Sequence, residues 1–187
     1  MTKRIILAVS GSISAYKSAD LTSKLKKKGY DIHVIMTEAA QAFIPPLTLQ
    51  VLSKNPVHTD VMEEKLAERI NHIDLAKETD LFIVAPASAN TIAKLAHGMA
   101  DNMLTATALA LPSTTPKLIA PAMNTKMYEN PLTKKNLKTL QEVGYQEIRP
   151  KSGLLACGDT GRGALADIAV IIEAIDSALT RKGVYDE

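Results

Sequence analysis

The single cysteine of the chain, Cys157, lies in SGLLACGDTGRGAL (residues 152–165) with Gly153, Gly158, Gly161 and Gly163 around it. Two readings are open for a thiol in such a setting. Free cysteine is among the most buried residue types, which makes a small inert core group one of them. The other is a reactive group on a segment whose glycines allow close backbone approach to a ligand and a hinge. A thiol with an ordinary pKa of about 8.5 is mostly protonated at neutral pH.

The remaining candidates stand where apolar runs end: GSIS (11–14), Thr37, PASANT (86–91) and PAMN (121–124). Taken singly, Ser12, Ser88, Thr91 and Asn124 read as helix caps. Taken together they place short hydroxyl and amide side chains beside helix N-termini, whose unbonded amides and positive dipole end suit a phosphate monoester. The three glycines of a dinucleotide fingerprint and the GK[ST] of a P-loop are absent, which lowers NAD and ATP readings. FMN carries one such monoester.

The elements that must hold these residues follow from the pattern around them. RIILAVS, DIHVIMT, DLFIVAP and PKLIAPA are short runs rich in Ile and Val that end in small or turn-forming residues, and read as four parallel strands. Ser14, Ser18, Leu21 and Leu25 form one helical stripe ending at Gly29, and KLKKKG (24–29) complements its carbonyl end. Ser88 caps a helix through Ile92, Leu95 and Ala96; Asp101 caps another through Leu104, Ala108 and Leu111, stopped by Pro112. A helix over 62–76 puts Met62, Leu66, Ile70 and Ile73 on one stripe with His72 on its flank, where a half-buried structural histidine is the plainer reading. Ile168, Ile171, Ile172, Ile175 and Leu179 mark an amphipathic helix near the end.

This alternation implies an α/β fold: one domain over residues 1–187, built as a doubly wound, flavodoxin-like or Rossmann-like parallel sheet with helices on both faces. Ligands of such sheets bind beyond the carboxyl ends of the strands. Residues 150–165 show no strand or helix pattern and read as a mobile surface loop.

Bulk composition excludes several classes. With 22 basic and 20 acidic side chains among 187 residues, no strong field points to nucleic acid or a membrane surface. One cysteine forms no internal disulfide and suits the cytoplasm, and neither a CxxC spacing nor a histidine cluster suggests a metal site. The run from Ile5 to Val9 is shorter than the roughly 7–15 apolar residues of an export signal, and no segment approaches the roughly 20 of a membrane span.

GSISAYK, the His72 of NHIDLA, APASANTIAKLAHGMADNML, APAMNTKM and the ACG segment together resemble the homo-oligomeric flavin-containing cysteine decarboxylases, across essentially the whole chain. The resemblance implies FMN as cofactor, held by Gly11, Ser12, Thr37, Ser88, Ala89, Asn90, Thr91 and Ala122. It implies a branch acting on 4′-phosphopantothenoylcysteine in coenzyme A biosynthesis, with Asn124, Met127, Ala156 and Gly158 facing substrate. Hydride abstraction from the carbon bearing sulfur yields a thioaldehyde; loss of CO2 then leaves its electron pair on sulfur as an ene-thiolate. Protonation and return of the hydride complete a redox-neutral reaction.

In that scheme Cys157 resembles the proton donor, carried on a glycine-rich substrate flap at about 150–165, His72 the base that manages the thiol proton, and Asn124 the group that holds the carboxylate. Without the family, Asn124 is a cap and Met127 a core filler. Tyr128 stands where the family often has Trp, and Ser14 where it usually has Ala. The resemblance further implies a trimer or a dodecamer with FMN where subunits meet, a phosphopantothenate–cysteine ligase as partner, and, with the sequence ending at Glu187, a stand-alone enzyme. Its rivals are an oxidative peptidyl-cysteine decarboxylase of lantibiotic type, disfavoured by Cys157, and a non-catalytic flavin-binding regulatory subunit, disfavoured by the retention of His72, Asn124 and Cys157.

Overall fold

The computed structural model describes residues 2–63, 71–154, 158 and 160–182. Its main sheet takes β1 (Arg4–Val9), β2 (Asp31–Met36), β3 (Val57–His58), β4 (Leu81–Ala87), β5 (Lys117–Pro121) and β6 (Tyr145–Glu147). All neighbours are parallel, in the order β3-β2-β1-β4-β5-β6. The chain therefore winds outward from β1 in one direction and, after crossing to β4, in the other. That reversal opens a crevice at the carboxyl ends of β1 and β4, where ligands of such sheets bind.

Between the strands run a 3-10 turn (Ile13–Tyr16), α1 (Lys17–Lys27), α2 (Glu38–Gln41), α3 (Pro46–Ser53), α4 (Asn71–Glu78), α5 (Ala89–Ala96), α6 (Met103–Ala110), α7 (Thr125–Glu129), α8 (Pro131–Glu142) and, last, α9 (Ile168–Lys182). The central strands are buried on both faces, which is why they read as unbroken apolar runs. Ile5, Leu7 and Val9 of β1 face a core shared with Leu21 and Leu25 of α1, Leu49 of α3 and Ile171 and Ile175 of α9. Ile6 and Ala8 face the other core, with Leu75 of α4, Ile92 of α5, Leu104 of α6 and Leu137 and Leu140 of α8. Period-two alternation along a single strand thus feeds both layers of helices. Among the described residues no helix is long and apolar enough to cross a membrane.

Four departures from the sequence reading have physical causes. The sheet has six strands, the two additional ones being edge strands of two and three residues that carry no apolar run. The segment read as an unstructured loop forms two arms of an antiparallel hairpin, β7 (Lys151–Leu154) and β8 (Thr160–Ala164). Asn102, rather than Asp101, caps α6: its side chain accepts from Thr105 N–H while Thr105 Oγ1 accepts from Asn102 N–H, a reciprocal pair that Asp101 does not make. The expected helix over 62–76 is described from Asn71 onward; Met62 is 84% exposed in a turn, and Leu66 and Ile70 lie outside the described residues.

Candidate active site

The first strand end supplies the floor of a cavity of about 500 Å³. Ser10 is fully buried; its hydroxyl donates to Pro86 O at 2.7 Å and accepts from Ser88 N–H at 2.8 Å, which ties the ends of β1 and β4 together across the crevice. Gly11 follows. A Cβ added there would lie 2.5 Å from Ala39 Cβ, so only glycine lets the chain pass this close to the start of α2. Ser12 then caps the 3-10 turn, accepting from Ser14 N–H at 3.2 Å.

The second strand end starts α5. Ser88 Oγ accepts from Thr91 N–H and donates to Thr91 Oγ1, both at 3.2 Å, while Ile92 N–H bonds to Ser88 O. The first-turn amides of Ala89 and Asn90 precede the helical ladder and find no carbonyl within their own helix. Ser12, Ser88 and Ala89 all line the cavity, so hydroxyls and a helix N-terminus converge on it, a donor set that fits a phosphate monoester.

The third strand end supplies Ala122, Met123, Asn124 and Met127. Asn124 caps α7, its Oδ1 accepting from Lys126 N–H at 2.8 Å, and this bond sets the plane of the amide at the cavity wall. Met127 is 49% exposed and lies one helical turn beyond, on the same face. Over this corner lies β8: Met123 N–H donates to Gly163 O at 2.9 Å, and Gly163 and Ala164 complete the lining.

The sequence candidates divide as follows. Gly11, Ser12, Ser88, Ala89, Ala122, Asn124 and Met127 come together in one cavity. Thr37, Asn90 and Thr91 lie outside its lining: Thr37 caps α2, Thr91 is buried against Ser88, and Asn90 is exposed. His72, in the first turn of α4, does not line the cavity either; its Nδ1 is buried and has no hydrogen-bond partner among the described residues. Gly158 is exposed beyond β7, while Ala156 and Cys157 lie outside the described residues.

Three lining residues escaped the sequence reading: Tyr16, Lys17 and Phe43. Lys17 closes the quoted GSISAYK and could have been found there. Phe43 carried no signal, because it follows the short α2 in no periodic pattern.

The flavoprotein family matches residues 1–180. The chain is 64% identical over 179 residues to the probable phosphopantothenoylcysteine decarboxylase of Streptococcus mutans, covering 96% of this chain and all of that one. It is 49% identical over 171 residues to the coenzyme A biosynthesis bifunctional protein CoaBC of Bacillus subtilis, where it spans only 42% of the longer polypeptide. Among solved structures, a cysteine-to-serine variant of a PPC decarboxylase complexed with pantothenoylaminoethenethiol superposes with a TM-score of 0.86 at 34% identity, covering 94% of this chain and 97% of that one. A second, described as an FMN-binding protein, gives a TM-score of 0.83 at 35% identity, covering 94% and 96%.

Proposed function

The chain belongs to the flavoprotein family, and from that premise we propose that it decarboxylates 4′-phosphopantothenoylcysteine to 4′-phosphopantetheine with FMN, a step of coenzyme A biosynthesis. The observation that carries this reading is the convergence of Ser12, Ser88 and Ala89 with Asn124 and Met127 on one cavity at the strand-order reversal.

FMN, when bound, would supply a two-electron acceptor that is restored within the same turnover, so that no external redox partner is consumed. The residues of the chain do the rest. Ser12, Ser88 and the first-turn amides of α5 hold the flavin phosphate, while Thr37 and Thr91 keep α2 and α5 in place by capping and packing. Asn124 donates to the substrate carboxylate. An amide orients that group without the full positive charge that would stabilise the ground state against its departure as neutral CO2. Met127 packs on the substrate beside it. Cys157, carried between β7 and β8, gives the proton to the carbon that lost CO2, with Ala156 and Gly158 flanking the substrate.

His72 manages the thiol proton, and its separation from the cavity within one protomer is the reason to read the enzyme as an oligomer. In a trimer, or a dodecamer assembled from trimers, His72 of one protomer serves the cavity of its neighbour. Ile13, Tyr16 and Phe43 support this: all three are exposed at the cavity mouth, and Leu47 and Val51 expose a further apolar stripe on α3. A phosphopantothenate–cysteine ligase supplies the substrate, and the cytoplasm is the compartment this reading assigns.

The test is direct. Purified protein supplied with FMN is expected to hold it with a yellow colour and to release CO2 from phosphopantothenoylcysteine without consuming an external reductant. Protein that takes up no flavin, or a loaded protein that releases no CO2, overturns the reading.

A further inference from the structure

The hydroxyl of Thr125 is buried and has no hydrogen-bond partner among the described residues. Its position in the chain is one cause. Thr125 opens α7 directly after the capping Asn124, so no helical carbonyl lies three or four residues before it to accept the bond that a mid-helix threonine makes. The other cause is β8, which keeps water away: a Cβ added at Gly161 would lie 2.5 Å from Thr125 Oγ1 and 2.8 Å from its Cγ2.

Gly161 and Gly163 stand two residues apart on one face of β8, and both press bare backbone against the start of α7, while Arg162 between them is exposed. The directed bond of this seat is Met123 N–H to Gly163 O at 2.9 Å. A buried hydroxyl left unbonded costs at least as much as such a bond contributes. The two therefore oppose each other across one small contact. Seating β8 makes the bond and strands the hydroxyl; lifting it breaks the bond and returns the hydroxyl to water.

We propose that Thr125 is a positioning residue for the cavity wall: its stranded hydroxyl keeps β8 readily detachable from α7, so that ligands exchange where Gly163 and Ala164 meet Asn124 and Met127. Thr125 does not line the cavity and acts through β8. The identity of the exchanging ligand rests on the decarboxylase reading, whereas the opposition of bond and hydroxyl does not. Valine has the same shape without the hydroxyl and would seat β8 more firmly. On this account threonine is held at the position because a firmer seat would slow the passage of ligands.

The experiment compares FMN-loaded wild-type protein with Thr125→Val, which removes the hydroxyl, and Thr125→Ser, which keeps it. The Met123 amide reports the seat directly, since its bond is to β8. Hydrogen exchange at that amide, read by mass spectrometry of short peptides, is expected to slow about tenfold in Thr125→Val and to keep its wild-type rate in Thr125→Ser. Association and dissociation of 4′-phosphopantetheine are followed by stopped-flow flavin fluorescence. Both rates are expected to fall by a similar factor in Thr125→Val and leave Kd unchanged, the signature of a wall that opens less often; a packing role would move Kd instead. Unchanged exchange at Met123 in Thr125→Val, or equal slowing in Thr125→Ser, overturns the proposal, as does a shifted Kd with an unchanged association rate. Wild-type protein that holds FMN yet does not bind 4′-phosphopantetheine overturns the decarboxylase reading instead, and exchange at Met123 then decides the role of Thr125 by itself.

Discussion

The phenolic hydroxyl of Tyr128 donates to Glu147 Oε1 at 2.7 Å, joining α7, which presents Met127 to the cavity, to the edge strand β6. Tyr128 is 3% exposed, and the ammonium group of Lys134 lies 3.4 Å from its ring centroid. Burial pushes its hydroxyl pKa up, and the bond to Glu147 pushes it further. The residue thus holds α7 from a position outside the cavity lining. Tyr128→Phe is expected to cost about 1 kcal/mol in thermal or denaturant unfolding, because half-buried Glu147 regains water. It should also raise KM more than it lowers kcat. A variant with wild-type KM would show that α7 does not depend on this bond for its orientation.

Gly163 faces the turn before α7 so closely that an added Cβ would lie 2.2 Å from Met123 O, a backbone atom. Gly163→Ala must therefore lift β8 off that turn. We expect a loss of about 1–3 kcal/mol in stability, faster proteolysis within 150–165, and weaker substrate binding. Wild-type melting and wild-type KM together would show that β8 tolerates the displacement.

Asn124→Asp faces the substrate carboxylate with a like charge. A loss in kcat/KM on the order of a hundredfold or more is expected, with FMN still bound. His72→Asn is also expected to be inactive. If the two residues serve one site from different protomers, co-folding the two variants restores roughly a quarter of wild-type activity through random pairing. No recovery in mixed oligomers would place both residues in the same protomer.

Cys157→Ser is expected to release CO2 and then stall, with the flavin absorbance bleached and an ene-thiol accumulating. An anaerobic spectrum after addition of substrate reads both. Full turnover to phosphopantetheine by this variant would remove Cys157 from the role of proton donor.

Acid stability tests the opposite pole of the sheet. Burial opposes ionisation of Asp31, but bonds from Asn55 (2.9 Å), His33 (2.9 Å) and Arg4 (3.2 Å) outweigh it and hold its pKa at about 2. A carboxylate held below its unfolded value near 3.8 contributes stability that is complete above that value and disappears as pH falls through about 2. Asp31→Asn should therefore cost about 1 kcal/mol at neutral pH, after allowance for solvent screening, and the gap to wild type should close between pH 4 and pH 2. A gap independent of pH would assign the cost to packing.

The central strands were legible because burial on both faces leaves an unbroken apolar run, and the strand ends pointed to where the cavity lies. The edge strands were not, since Val57–His58 and Tyr145–Glu147 are held by backbone bonds to neighbours distant in sequence. The hairpin was hidden for a related reason: KSGL and TGRGA carry little strand propensity, and β8 is seated by contacts with Met123 and Thr125. Caps at Ser12, Ser88 and Asn124 were read correctly, and so was their convergence at one pole. What spacing could not convey was that Lys17 turns from its helix into the cavity, or that His72 stays away from it.

Ser10 sets the terms for moving this cavity-bearing pole elsewhere. Its hydroxyl is donor to one backbone group and acceptor from another, with no solvent to replace it. A graft onto a foreign parallel sheet that imported only the residues touching the ligand would leave a carbonyl and an amide orphaned at the junction. The smallest transplantable unit is therefore the two strand termini and the buried serine that laces them together.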